Sequence, residues 1–183
     1  MLDQLAARGA GDELIFETPS EIAVVNFDSK NILQVKHIDK IEKSERIISP
    51  KDAKNIVVGA GNLRREVSHF LLPNPKKHLQ IRLGLTMHGG LGTWSSLPHP
   101  FELKPDLGFE ELFFYLTEGG SGRAIQVGSG VWHDGAPVDA CWPIIDRTFG
   151  VIPMGYHPVV AEPEVQVRYI WAYLVKKPEW EKI

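Results

Sequence analysis

The chain has 183 residues, a length typical of a single domain that buries a core without disulfides or structural metals. With 43% hydrophobic and 23% charged residues, its composition is that of an ordinary soluble domain. The single cysteine excludes an internal disulfide. The net charge is −3 and there is no basic stripe, so nothing indicates nucleic-acid binding. Because the N-terminus lacks a signal peptide and no apolar run approaches the ~20 residues of a membrane span, we expect a cytoplasmic protein.

Short apolar runs separated by glycine and proline predict an all-β chain. The predicted strands are, in chain order, DELIF (12–16), EIAVVNF (21–27), NIVVGAG (55–61), HLQIRLGLTM (78–87), EELFFYL (110–116), RAIQVG (123–128), FGVIPMG (149–155) and VQVRYIWAYLV (165–175). Helical periodicity is scarce and is confined to the first few residues and to SPKDAKN (49–55).

Two predicted strands alternate with a period of two, which is typical of strands with one buried face. In the first strand one face carries Leu79, Ile81, Leu83 and Leu85, and the other carries Gln80, Arg82 and Thr86. In the second strand a single face carries Val165, Val167, Tyr169, Trp171 and Tyr173. We expect both strands to be half-buried.

The polar, lysine-rich residues 28–54 predict a connection between an N-terminal arm and the main domain. The predicted division is an arm and linker over 1–54 and a barrel over 55–183. An unpaired apolar arm strand would aggregate, so the arm should pair with its own barrel or with a second subunit, which favours a homodimer. The many short strands suit a jelly roll or a sandwich, and an immunoglobulin-like sandwich lacks its Cys–Trp–Cys spacing here.

The stretches 90–116 and 151–160 each place a histidine beside proline at the end of an apolar strand. Between them, Glu111 opens a strand whose next five residues are all apolar or aromatic. An ionised carboxylate there needs a partner, either a metal or an arginine. Imidazole and carboxylate ligands suit Mn, Zn, Ni or Fe and do not choose among them.

The chain resembles a known family, 5-deoxy-glucuronate isomerase of inositol breakdown and, more distantly, 5-keto-4-deoxyuronate isomerase of pectin breakdown. The segments that carry the resemblance are EIAVVNF (21–27), GAGNLRREVSHFL (59–71), GTWSSLPH (92–99), FEELFFYL (109–116) and IPMGYHPVVAEP (152–163). The resemblance covers mainly that family's second cupin domain. It implies a single cupin-type jelly-roll barrel, or double-stranded β-helix, preceded by an N-terminal β arm.

That family holds its metal with a His-x-His pair, one glutamate and a later histidine. By resemblance, the first histidine falls on His99, the glutamate on Glu111 and the later histidine on His157. The second histidine of the pair falls on Phe101, which cannot bind metal. The adjacent Glu102 takes its place if the strand bulges.

The resemblance implies metal-dependent aldose–ketose isomerisation of a deoxyuronate-like sugar acid in carbohydrate or inositol catabolism. Glu102 is then the expected base if it is not a ligand. Tyr115 shares the face of Glu111 and is either a second catalytic group or a core aromatic. Two alternatives stay open: a cupin that binds a small sugar-like ligand without turnover, which Phe101 favours, and a metal-dependent oxygenase.

Residues 127–146 contain two tryptophans among polar groups and predict a loop over the barrel mouth. Trp132 and Trp142 would serve there as a lid or a platform on which a sugar stacks. The alternative is a contact between subunits.

Overall fold

A computed structural model of the chain describes residues 5–74, 78–90, 94–95 and 111–177. Within these ranges the chain forms sixteen strands and one 3-10 helix, Gly61–Leu63. The strands are β1 Ala6–Ala10, β2 Glu13–Glu17, β3 Glu21–Phe27, β4 Ile32–Asp39, β5 Ser44–Ile48, β6 Lys54–Val58, β7 Arg65–Leu71, β8 Ile81–His88, β9 Trp94–Ser95, β10 Glu111–Glu118, β11 Ala124–Val131, β12 Pro137–Ile144, β13 Phe149–Ile152, β14 Met154–Tyr156, β15 Val159–Ala161 and β16 Gln166–Leu174. The all-β prediction is confirmed. The described residues contain no helix with the length and hydropathy needed to cross a membrane.

The strands form three antiparallel sheets. The N-terminal sheet is a meander of β1 to β5 in chain order. The large barrel sheet has the order β13-β10-β16-β8-β7-β6, and the small barrel sheet has the order β12-β11-β15-β9, with β14 also paired to β11. Side chains from the two barrel sheets share one buried cluster, in which Phe113 and Tyr169 meet Met154 and Val159. The two sheets therefore enclose a jelly-roll barrel of the cupin type.

The N-terminal sheet covers the outer face of the large barrel sheet. A second buried cluster joins Phe16 and Val25 of the N-terminal sheet to Leu83 and Ile170 of the barrel. Aromatic side chains cross this layer as well, since Phe27 lies edge-on to Phe114 with ring centroids 5.3 Å apart. The fold therefore has three stacked layers, and the large barrel sheet is the middle one.

The alternation of β8 and β16 is confirmed, but the expectation that they are half-buried is wrong. On β8, Leu83 faces the N-terminal sheet, whereas Arg82 and Thr86 face the barrel and are also buried. On β16, Ile170 faces the N-terminal sheet and Trp171 faces the barrel. Both faces are buried because the N-terminal sheet covers the face that would otherwise meet water.

Residues 28–54 were expected to form a connection, and this expectation is wrong because they contain β4 and β5. The buried positions of β4 include His37 and Asp39, which are 4% exposed. Polar residues at inward positions hide the apolar alternation on which strand prediction depends. The expected helical turn at 49–55 is likewise wrong, because the chain turns at residues 50–52 and enters β6 at Lys54.

The arm strands β2 and β3 pair with each other and with β1 and β4 inside the N-terminal sheet. These strands therefore need no second subunit to pair with. The homodimer and the division at residue 54 stay predictions.

Residues 127–146 were expected to form a loop, but most of them belong to the hairpin of β11 and β12. The two strands pair without interruption from Ala124↔Ile144 to Val131↔Pro137, around a turn closed by the hydrogen bond from Trp132 N to Ala136 O. The rings of Trp132 and Trp142 lie 6.0 Å apart on this hairpin. Their role as a sugar platform or a subunit contact stays a prediction.

A buried carboxylate links the N-terminal sheet to the start of β8. The Glu21 side chain is 0% exposed, and its Oε2 lies 2.7 Å from His37 Nε2. Its Oε1 accepts hydrogen bonds from the backbone N–H of Ile81, at 2.9 Å, and of Gln80. Arg46 Nε donates to His37 Nδ1, so the proton of a neutral His37 sits on Nε2 and is donated to Glu21.

We predict that Glu21→Ala lowers the free energy of unfolding by about 2–4 kcal/mol, because it removes the acceptor for His37 and for two backbone N–H groups. Urea denaturation measures the loss. The control is Glu45→Ala, whose carboxylate pairs with Lys36 at 2.7 Å on the surface. An exposed pair of this kind contributes at most about 1 kcal/mol. Equal, small losses in both variants would contradict the linking role of Glu21.

Candidate active site in the barrel interior

The interior face of the large barrel sheet is built from rows of side chains that run across its strands. The strand register aligns one row of Glu111, Tyr173 and Arg82, a second of Phe113, Trp171, Gly84 and His69, and a third of Tyr115, Tyr169, Thr86 and Val67. Five of these eleven residues are Phe, Tyr or Trp, and four polar side chains, Glu111, Arg82, His69 and Thr86, stand among them. The wall is therefore apolar, with a small number of fixed polar groups, as in most small-molecule sites.

Glu111 is the first residue of β10 and faces the barrel interior with 3% of its surface exposed. The strand alternation sets this direction, because Phe114 and Leu116 point the other way into the layer under the N-terminal sheet. The carboxylate therefore stands at the head of an apolar strand, on the same face as Phe113 and Tyr115.

His157 lies between β14 and β15 and is 0% exposed. Its Nδ1 lies 3.0 Å from the Gly155 carbonyl oxygen. A carbonyl can only accept, so Nδ1 carries the proton of the neutral ring and Nε2 carries the lone pair. Histidines that bind metal through Nε2 show this arrangement, in which a backbone carbonyl fixes the tautomer.

Phe113 lies on the same face of β10 as Glu111 and contacts His157. Its ring lies edge-on to the His157 ring, with centroids 6.2 Å apart and an interplanar angle of 73°. Because Phe113 lies two residues after Glu111 on the same face of β10, the carboxylate and the imidazole belong to the same region of the interior.

Gln126 of β11 fixes the backbone of His157, and the sequence analysis missed it. Its side chain is 0% exposed. Its Nε2 donates to the carbonyl oxygens of His157, at 2.8 Å, and Val127, at 2.9 Å. The signal in the sequence is a single amide at an inward position, two residues from the small residues Ala124 and Gly128.

Tyr115 completes this network from the large barrel sheet. Its hydroxyl donates to Gln126 Oε1 at 2.8 Å. Burial raises the pKa of Tyr115 well above its ordinary value, with smaller contributions from Tyr169 and Glu111. The phenol therefore stays neutral and acts as a donor. The side chain fits because residue 150 is glycine, where a Cβ would lie 2.7 Å from the Tyr115 hydroxyl oxygen.

Two further polar side chains of the interior, Arg82 and His69, were also missed as site residues. The guanidinium of Arg82 lies over the Tyr173 ring, 5.9 Å from its centroid. The His69 ring lies edge-on to Trp171 at 5.3 Å. Burial, and then the nearby guanidinium of Arg82, lower the pKa of His69 to about 4, so this imidazole is neutral at pH 7.

Of the four expected ligands, Glu111 and His157 both face the barrel interior. His99 and Glu102 lie outside the described residues, as does Phe101. Within 5–74, 78–90, 94–95 and 111–177, no three His, Cys, Asp or Glu side chains come together as a metal-binding group. The convergence of the four residues therefore stays a prediction.

Comparisons with known proteins agree with this architecture. Residues 13–183 match the model of the KduI/IolB family. The chain is similar to the 5-deoxy-glucuronate isomerases of Geobacillus kaustophilus (strain HTA426), at 29% identity, and Geobacillus thermodenitrificans (strain NG80-2), at 28%. Each alignment spans 129 residues, 68% of this chain and 45% of the relative. The chain thus spans about half the length of the curated relatives it matches.

A solved structure of an IolB-like protein from Salmonella typhimurium LT2 has the same fold. It superposes with a TM-score of 0.56 at 22% identity, over 73% of this chain and 50% of that chain. The family match covers nearly the whole chain, including every residue of the barrel wall described above. The chain belongs to the KduI/IolB family and has a cupin barrel.

Proposed function

We propose that this protein is a divalent-metal-dependent isomerase that interconverts the aldose and ketose forms of a deoxyuronate-like sugar acid in the cytoplasm. The observation that carries the proposal is the pair of buried side chains, Glu111 and His157, that face one barrel interior. Family membership and the two Geobacillus relatives, which are named 5-deoxy-glucuronate isomerases, support the reaction class.

The residues that the structure describes fit a divalent cation. His157 presents the Nε2 lone pair, and Glu111 supplies a buried carboxylate on the same interior; imidazole and carboxylate are ligands that divalent ions accept. We propose His99 and Glu102 as the remaining ligands. Ser95 of β9 pairs with Val159, two residues from His157, and His99 follows Ser95 by only four residues.

When bound, the cation supplies Lewis-acid polarisation of the substrate carbonyl and the adjacent hydroxyl. The chain's own residues then orient the sugar and exclude water. Phe113 and Tyr169 stack 4.4 Å apart and form an apolar surface on the wall near His157. Proton transfer between neighbouring carbons needs a carboxylate within hydrogen-bond reach, and Glu102 is the proposed base if it is not a ligand.

We propose a positioning role for Tyr115 rather than proton transfer. Its neutral hydroxyl is committed to Gln126, which in turn binds the His157 carbonyl oxygen. The network joins the two barrel sheets and fixes the backbone from which the His157 ring projects.

A second candidate function is binding of a small sugar-like ligand without turnover. Phe101 favours it, because by resemblance this position corresponds to the second histidine of the metal-binding pair, and phenylalanine cannot bind metal. A barrel with too few ligands would keep its aromatic wall but lose the cation that the isomerisation needs.

We predict that the purified protein binds about one Mn²⁺ or Zn²⁺ per chain and isomerises a uronate, and that EDTA abolishes turnover until metal is restored. His157→Ala and Glu111→Gln should each lower metal affinity at least ~100-fold, because each removes a donor atom. Calorimetry and elemental analysis measure binding, and NMR measures the aldose–ketose conversion. The control is His133→Ala, an exposed histidine in the turn between β11 and β12.

Two results would contradict the isomerase. If the metal-replete protein holds no metal yet binds the uronate, the binding-only cupin is favoured. If His157→Ala and His133→Ala bind metal equally well, His157 is not a ligand.

We also predict that Gln126→Leu lowers metal affinity ~10–100-fold, the usual effect of removing a residue that orients a ligand. Tyr115→Phe should act in the same direction and more weakly, since Gln126 then keeps its bonds to the backbone. The control is Gln34→Leu on β4 of the N-terminal sheet. Metal titrations on variants with unchanged circular dichroism provide the test, and unchanged affinity in Gln126→Leu would refute the positioning role.

A further inference from the structure

The barrel wall contains a buried basic side chain in an aromatic setting. Arg82 is 4% exposed on the interior face of β8, and its guanidinium lies over the Tyr173 ring. Tyr173 in turn stacks on Trp171, with centroids 5.9 Å apart and an interplanar angle of 23°. The guanidinium is a rigid fork of N–H donors that matches the two oxygens of a carboxylate.

His69 stands next to Arg82 on the adjacent strand, β7. It is 8% exposed, and its Nδ1 has no hydrogen-bond partner among the described residues. His69 pairs with Gly84, two residues after Arg82 on the same face of β8, so the two side chains are diagonal neighbours on the wall. A buried polar atom of this kind is rare in native structures, and a hydrogen bond to a bound ligand would satisfy it.

The neighbouring indole is fixed in place by a hydrogen bond to β8 and by close packing against Gly84. Trp171 Nε1 donates to Thr86 Oγ1 at 3.0 Å. Gly84 lies between Trp171 and His69 in the same row. It has no side chain, and a Cβ at this position would lie 2.3 Å from Trp171 Cζ2. The glycine thus lets the indole lie against β8 within the row that ends at His69.

Arg82 and Glu111 stand at the two ends of one row of the barrel wall, with Tyr173 between them. Arg82 and Glu111 share a row and lie two strands apart, so their Cα atoms are separated by about 10 Å at the usual spacing of ~4.8 Å between strands. Both side chains face the interior, on either side of Tyr173.

We propose that Arg82 and His69 form the carboxylate subsite of this barrel, where Arg82 receives the carboxylate of a sugar acid and His69 donates or accepts one further hydrogen bond. This inference rests on the proposed function, because it assigns the opposite end of the same ligand to the region of Glu111 and His157. It explains how an aromatic wall would select an acid sugar over a neutral one.

The test compares D-glucuronate with D-glucose, which differ only in having a carboxylate or a hydroxymethyl group at one end. Calorimetry or NMR titration of the metal-loaded protein gives the two dissociation constants. We expect the wild type to bind glucuronate at least ~10-fold more tightly than glucose, because hydrogen bonds to charged groups are the stronger ones.

Arg82→Gln should weaken glucuronate ~10–100-fold, leave glucose nearly unchanged and keep the metal content of the wild type. Arg82→Lys should recover part of the difference, and His69→Gln should lose less than Arg82→Gln. The control is Arg168→Gln, a buried arginine on the other face of the large barrel sheet that pairs with Glu118 at 3.2 Å.

If Arg82→Gln weakens both sugars equally or neither, the carboxylate subsite is overturned. If Arg82→Gln fails to fold, the same criterion applies to Arg82→Lys and His69→Gln. A wild type that discriminates between the sugars but shows no turnover would overturn the proposed isomerase and leave the subsite standing. Turnover of a uronate without any preference for glucuronate over glucose would overturn the carboxylate subsite and leave the proposed isomerase standing.

Discussion

The central strands of the large barrel sheet, β10, β16 and β8, are buried on both faces, and the rest of the structure depends on this constraint. The outer face of this sheet needs an apolar cover, which the N-terminal sheet supplies through the cluster around Phe16, Val25 and Leu83. Its inner face is then free to carry polar groups between aromatic residues, because the outer layer already contributes the burial that stabilises the strands. The N-terminal sheet therefore stabilises the barrel by burying the outer face of these strands.

The same constraint fixes the geometry of the candidate site. Glu21 bonds the backbone N–H of Ile81, immediately before Arg82, so the N-terminal sheet holds the strand from which the guanidinium projects. On the opposite side, Gln126 holds the carbonyl oxygen of His157. Both anchors are buried hydrogen bonds on strands, and sites supported in this way keep their geometry more accurately than sites on loops.

The sequence allowed the fold class and the alternation of β8 and β16 to be predicted, because period two is visible where one face of a strand is apolar or aromatic. It failed for β4, where His37 and Asp39 take inward positions and only their tertiary partners explain them. Glu111 and His157 were found through motifs that resemble a family. Arg82 was placed on the face of β8 opposite the leucines, but that face was expected to meet water and instead lines the barrel interior. Its position diagonal to His69 depends on strand pairing that no local pattern reveals.

The central claim is that the barrel interior holds a divalent ion between Glu111 and His157. Anomalous diffraction at the zinc edge, from crystals grown with saturating zinc, tests it most directly. The account predicts a single strong interior peak about 2.0–2.2 Å from His157 Nε2 and from a carboxylate oxygen of Glu111. An interior without a peak at saturating zinc, or a zinc ion bound only at surface residues, would contradict it.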